Sequence, residues 1–129
     1  LINCPAPLAI TYDPNWLRIW KKRFGDPLLD AETFLINSSN QIIDIGSKPS
    51  TLKEVQGQYM GLLRITPESW QQILCVLSEL SEKKRDEISM TSVLQKVIKK
   101  SKFSVKGVSY EGEWGEIDSQ TDLQIFDSK

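Results

Sequence analysis

Histidine is absent from the chain, and that one absence excludes a wide range of chemistry. Ser-His-Asp triads, imidazole acid/base catalysis and the commonest zinc sites all depend on it. Cysteine is scarce: Cys4 and Cys75 stand far apart, and neither has a second thiol at metal-ligand spacing. Two unpaired thiols suit a reducing compartment, so a bacterial-type cytoplasm is expected. Nothing near Leu1 reads as a signal peptide. No apolar run reaches the roughly 20 residues of a membrane-spanning helix, so no membrane role is expected. A cationic excess is also missing, with 16 Lys+Arg against 17 Asp+Glu, which argues against a nucleic-acid partner. There is no glycine-rich phosphate loop of either common type. What remains is 129 residues, 40% of them hydrophobic, enough for a single domain with its own core.

Leu8–Tyr12 is an apolar run between prolines and Asp13-Pro14, the pattern of a buried strand. Asp13 stands where a helix cap belongs, because Pro14 suits a first helical position. Trp16, Ile19, Trp20 and Phe24 then recur at helical spacing until Gly25-Asp26-Pro27 ends the run. Ala31–Ile36 and Gln41–Ile45 flank the turn formers Asn37-Ser38-Ser39-Asn40 and predict a β-hairpin. After a loop over 46–50, a longer strand is expected from Val55 to Ile65, interrupted by Gly57 and Gly61.

Thr66-Pro67-Glu68 opens a second helix with cap, proline and acid in order. Its apolar stripe reads as Trp70, Ile73, Leu74, Leu77 and Leu80. Ser81–Glu87 reads as a solvated helix end and linker. Thr91–Lys100 predicts a third helix with Val93, Leu94, Val97 and Ile98 inward, and with Lys96, Lys99 and Lys100 outward. A strand over Phe103–Tyr110 and a last helix near Thr121–Phe126 complete a mixed α/β order. Trp16, Trp20 and Trp70 are expected to pack.

One cluster stands out from this background. In Trp114-Gly115-Glu116-Ile117-Asp118-Ser119 two carboxylates lie two residues apart, and on an extended chain Glu116 and Asp118 share a face. Hard oxygen ligands of this kind suit Mg²⁺, which takes one or two carboxylates and completes its shell with phosphate and water. The structural alternative is that Asp118 caps the helix after it.

The blocks Tyr12-Asp13-Pro14-Asn15-Trp16, Arg23-Phe24, Asp26-Pro27-Leu28 and Asp30-Ala31-Glu32-Thr33-Phe34 occur in that order. They are followed by Ile45-Gly46-Ser47-Lys48-Pro49, Gly57-Gln58-Tyr59-Met60-Gly61-Leu62, Thr66-Pro67, the Trp114–Ser119 cluster and Asp122-Leu123. Together they resemble the second half of bacterial nucleotidylyltransferases of the phosphocholine cytidylyltransferase type. The resemblance runs from about Leu8 to Phe126. It implies a nucleotide-diphospho-sugar transferase-like α/β fold, with a mixed, mainly parallel sheet flanked by helices. It also implies Mg²⁺-dependent transfer of a nucleotidyl group from an NTP, expected to be CTP, to phosphocholine or a similar phosphorylated or phosphonate acceptor.

The site residues follow from that resemblance. Asp118 falls on the family's metal-binding acid, and Glu116 beside it orients the site or faces the acceptor. Lys48 matches the lysine that reaches the substrate phosphate in related pyrophosphorylases, although Ser47 replaces the glutamate before it. Tyr59 and Gly61 fall on the strand that lines the acceptor pocket. Tyr59, Tyr110 and Trp114 are candidate walls for a cationic acceptor, and Glu32 is a candidate opposite charge.

The family's opening glycine-rich loop, its lysine and a first metal-binding aspartate have no counterpart here. Residues 1–129 are therefore expected to be the acceptor-binding half of a nucleotidyltransferase domain, inactive alone. An open sheet edge is expected to pair with the N-terminal half or with another copy. The competing reading is a binding or regulatory module that keeps the acceptor-side fold without catalysis.

Overall fold

The computed structural model describes residues 1, 3–17, 31–100, 104–112 and 114. Five strands form one sheet: β1 (Leu8–Asp13), β2 (Phe34–Ile36), β3 (Gln41–Ile45), β4 (Gln58–Ile65) and β5 (Val105–Ser109). Helices α1 (Pro67–Ser78), α2 (Glu82–Glu87) and α3 (Met90–Lys100) lie between β4 and β5. The strand order is β2-β3-β5-β1-β4. Most of the first expected helix and all of the Thr121–Phe126 helix lie outside the described residues.

The sheet corrects one expectation. It is mixed but mostly antiparallel: β1 runs parallel to β5, while β1–β4, β2–β3 and β3–β5 are antiparallel. Connectivity accounts for the hairpin pair. β2 and β3 are joined by the short turn over 37–40, which permits only antiparallel pairing, and Asn40 takes a φ of 61° in it. β1 and β5, the parallel pair, are joined through a connection that includes all three helices, long enough for the crossover such a pair needs.

β1 is buried along its whole length. Leu8, Ile10 and Tyr12, two residues apart, share one face and meet Ile73 and Val76 of α1 and Val93, Leu94 and Val97 of α3. Four residues of that third helix thus point as its periodicity predicts, with Ile98 partly buried against the same core. The α1 stripe does so only at Ile73, which is buried, and at Leu77, which is partly buried against the same core. Its buried face is Ser69, Ile73 and Val76, whereas Trp70 and Leu74 remain 43% and 39% exposed. Ser69 sets this rotation: its hydroxyl donates to Pro7 O at 2.6 Å, and Thr66 N–H donates to the same carbonyl at 3.0 Å. These bonds pin the first turn of α1 to the segment before β1. The solvated stretch after α1 forms its own short exposed helix, α2, capped by Ser81.

β4 begins three residues later than the sequence suggests. Val55 pairs instead with Phe34 of β2, and Gln56 N–H donates to Phe34 O at 2.8 Å. Two residues further on, Gln58 already pairs with Asp13. The segment 55–58 therefore joins one edge of the sheet to the other, and the sheet curls around the Tyr12 ring. That ring packs against Phe34, tilted by 33° to it with 4.9 Å between centroids. A Cβ at Gly57 would come within 2.5 Å of it, so the ring occupies the space that a side chain there would need. Further along, β4 takes four steps from Leu63 to Tyr59 while β1 takes two from Ile10 to Tyr12, a bulge that contains Gly61. Among the described residues β4 has a free edge, where Leu62 is 60% exposed.

Candidate functional site

The C-terminal end of β1 brings together three of the residues singled out above, Tyr59, Tyr110 and Trp114. Tyr12 pairs with Tyr59 on one side and with Ser109 on the other. Tyr110 N–H then extends the β1–β5 ladder by donating to Tyr12 O at 2.9 Å. Asp13, the next residue, is the only buried carboxylate among the described residues. One of its oxygens accepts Asn15 N–H at 2.7 Å, the bond expected of a helix cap. The other accepts the Trp114 indole N–H at 2.6 Å. Asp13 is thus more than a cap, and the sequence offered no sign of its second bond. Trp114 also packs against Trp16, Ala31 and Val55, and the Trp16 indole N–H donates to Val55 O at 3.0 Å. Trp16 is buried, as its helical spacing predicts; Trp20 lies outside the described residues.

Glu32 and Tyr59 line one narrow recess, together with Phe34, Gln58 and Thr91, with free space for about one water molecule. The Thr91 hydroxyl donates to Glu32, 2.9 Å from Oε2 and 3.2 Å from Oε1. Thr91 belongs to the first turn of α3, where the exposed N–H groups favour a nearby anion, so Glu32 also has a structural partner. Thr91 was not legible as a site residue, because its place on a helical pattern says nothing about a partner 59 residues away. Burial raises the Tyr59 phenol above its ordinary value by disfavouring the phenolate. The Tyr59 phenol is therefore neutral at physiological pH.

Lys48 sits in the loop after β3 and is exposed. The bonds Thr33 N–H to Ser47 O at 2.7 Å and Gly46 N–H to Thr33 O at 3.1 Å prolong the β2–β3 ladder, which sets Lys48 next in line to Glu32. No ion pair joins these two side chains among the described residues. Gly61 does not line the recess. Its φ of 83° meets the demand of the bulge, and a Cβ there would have nothing within 4 Å. Tyr110 is 45% exposed, with Gly112 folded beneath its hydroxyl. Glu116 and Asp118 lie outside the described residues. Among the described residues, no three His, Cys, Asp or Glu side chains gather as a metal site, and no helix is long and apolar enough to cross a membrane.

No protein-family model matches the chain. A curated relative does. Over 131 aligned residues the chain is 34% identical to the CTP:phosphoglutamine cytidylyltransferase of Campylobacter jejuni, an alignment that takes in 97% of this chain and 51% of that enzyme. The chain spans about half the length of the curated relative it matches, and it is a distant homologue of a CTP-dependent cytidylyltransferase.

Proposed function

We propose that this chain is the acceptor-binding part of a cytidylyltransferase that moves CMP from CTP to a small phosphorylated acceptor carrying a cationic nitrogen. The relation to an enzyme named for CTP and phosphoglutamine supports the reaction. The acceptor class rests on one observation, the Glu32 carboxylate and the Tyr59 ring on a single recess. Choline and a free amino acid both present a cationic nitrogen at neutral pH, and a carboxylate beside an aromatic ring suits either. The recess is too small to enclose such a group, so the nitrogen would sit at its mouth, with Tyr110 and Trp114 as further walls. The open space over Gly61 leaves room for an acceptor along β4.

In this reaction an oxygen of the acceptor phosphate attacks the α-phosphorus of CTP. A new P–O bond forms, the bond to the bridging oxygen breaks, and pyrophosphate leaves with that electron pair. The nucleophile is already an anion, so no base has to remove a proton, in keeping with a chain that has no histidine. Catalysis then consists of alignment and of balancing negative charge. Lys48 is placed on an exposed loop from which its ammonium can reach a phosphate. Asp118, with Glu116 beside it, is the residue we assign to Mg²⁺, on the resemblance of the Trp114–Ser119 cluster to the family's metal-binding block. When bound, magnesium would neutralise charge on the phosphates.

The test compares phosphocholine, phosphoglutamine and glycerol phosphate as acceptors in the natural full-length protein and in Glu32→Gln. The reading expects a raised acceptor KM in the variant for the acceptor with a cationic nitrogen, and little change with glycerol phosphate. Equal effects on all three would remove Glu32 from acceptor recognition.

A further inference from the structure

Helix α2 buries no residue, and six residues are too few for a helix to hold itself in water. Its flanks carry it: Leu80 before it is partly buried, and Ile88 after it packs against the main core. At those flanks a groove of about 290 Å³ opens, lined by Leu80, Lys84, Glu87, Ile88, Ser92 and Lys96. Small-molecule sites start at roughly that size, near 300 Å³. Leu80 and Ile88 give it apolar surface, α2 supplies Lys84 and Glu87, and α3 supplies Ser92 and Lys96.

The groove shares no residue with the Glu32 recess. On α3, Thr91 and Gln95 hydrogen-bond to Glu32 and Ser47, whereas Ser92 and Lys96 line the groove. Each of these stands one residue further on, a turn of about 100° around the helix axis. One helix thus serves two sites from two faces. The charge of the groove is unbalanced. Two ammoniums from two helices meet one carboxylate, and among the described residues Lys84, Lys96 and Glu87 join no ion pair. Lys96 is only partly exposed, and a long side chain of this kind covers apolar surface with its stem while its ammonium stays available. The Ser89 hydroxyl donates to Ser92 Oγ at 2.9 Å, which leaves the Ser92 hydrogen for another acceptor. A phosphate monoester carries about 1.5 to 2 negative charges at neutral pH, enough to balance both lysines. An apolar body attached to it would cover Leu80 and Ile88.

We propose that the groove between α2 and α3 is a second ligand site, separate from the recess, for a small phosphate monoester with an apolar body. The lysines hold the phosphate from two sides, Ser92 donates to one of its oxygens, and Glu87 keeps the site from binding anions too tightly to release them.

The test follows the Leu80 and Ile88 methyl groups by NMR in the natural full-length protein as phenyl phosphate is added. Both are expected to shift saturably. Inorganic phosphate is expected to bind about tenfold more weakly, because it leaves the apolar surface uncovered. Benzylamine, a similar ring with the opposite charge, is expected to leave both signals in place. Lys84→Gln and Lys96→Gln should each weaken phenyl phosphate about three- to tenfold, and Glu87→Gln should tighten it about twofold. Lys48→Gln, outside the groove, should change nothing in this titration. No saturable shift, or an affinity that survives both groove-lysine variants unchanged, would overturn the proposal. Benzylamine binding as well as phenyl phosphate would reduce the groove to an apolar patch, and inorganic phosphate binding as well would reduce it to an ionic surface; either result overturns it. An equal loss in Lys48→Gln would move the anion out of the groove and overturn it too.

Discussion

Thr91 holds the carboxylate of Glu32 from the first turn of α3, with its hydroxyl 2.9 Å from Oε2. The pair ties the segment before β2 to a helix that enters the chain 59 residues later, and it fixes one wall of the recess. Thr91→Val removes the hydroxyl and keeps the branched shape. Loss of one such bond is expected to cost about 1 kcal/mol of stability and to raise the acceptor KM roughly fivefold. Chemical denaturation and acceptor titration in the full-length protein measure the two effects. A stability loss with an unchanged KM would reduce the pair to a helix-end contact.

Two glycines with similar backbones make a paired prediction. Gly46 and Gly61 have φ values of 85° and 83°. Gly61→Ala meets no neighbour, so it should cost only the left-handed backbone penalty, about 1–2 kcal/mol. Gly46→Ala carries the same penalty and also drives a Cβ to 2.9 Å from the Thr91 carbonyl oxygen. Its loss should exceed that of Gly61→Ala by about 1–3 kcal/mol, the usual cost of overpacking. Urea denaturation of both variants decides it, and equal losses would mean that the 46–50 loop yields.

Tyr59 predicts a signature at high pH. Its phenol is raised above the ordinary 10.0 by burial, so the folded chain holds that proton more tightly than the unfolded chain does. The resulting stabilisation is complete below about pH 10 and is lost as pH rises above that value through the folded one. Unfolding free energies measured from pH 8 to pH 11 should therefore fall more steeply in the natural protein than in Tyr59→Phe. Parallel curves would show that Tyr59 is as solvated in the fold as outside it.

On α1, core and surface are the reverse of what side-chain size suggests. Ile73→Ala removes a fully buried side chain and is expected to cost about 2–5 kcal/mol. Trp70→Ala, at a half-exposed position, should cost under about 1 kcal/mol. Denaturation midpoints of the two variants would contradict the observed helix orientation if their order were reversed.

These cases show where the sequence could be read and where it could not. Strand β1, the hairpin of β2 and β3, and the inward face of α3 follow from local patterns: an apolar run, a four-residue turn and a helical period. The errors have tertiary causes. The rotation of α1 is set by Ser69 bonding to Pro7, and the late start of β4 by Val55 bridging to β2, and neither partner is near in sequence. The expectation of a mainly parallel sheet came from resemblance and is overturned by three antiparallel pairings, of which the hairpin is one. At the site, Glu32 and Tyr59 do meet on one recess, while Thr91 and the second oxygen of Asp13 were illegible because a hydroxyl and a cap have common local uses.

The central claim is CMP transfer to a phosphorylated acceptor with this chain on the acceptor side. It is tested most directly by pyrophosphate release from the natural full-length protein. The assay pairs each of the four NTPs with phosphocholine and phosphoglutamine in the presence of Mg²⁺, with Asp118→Ala alongside. The account predicts release with CTP and at least one of these acceptors, none without an acceptor, and loss of release in Asp118→Ala. No release with any pair, or full release in the variant, would contradict it.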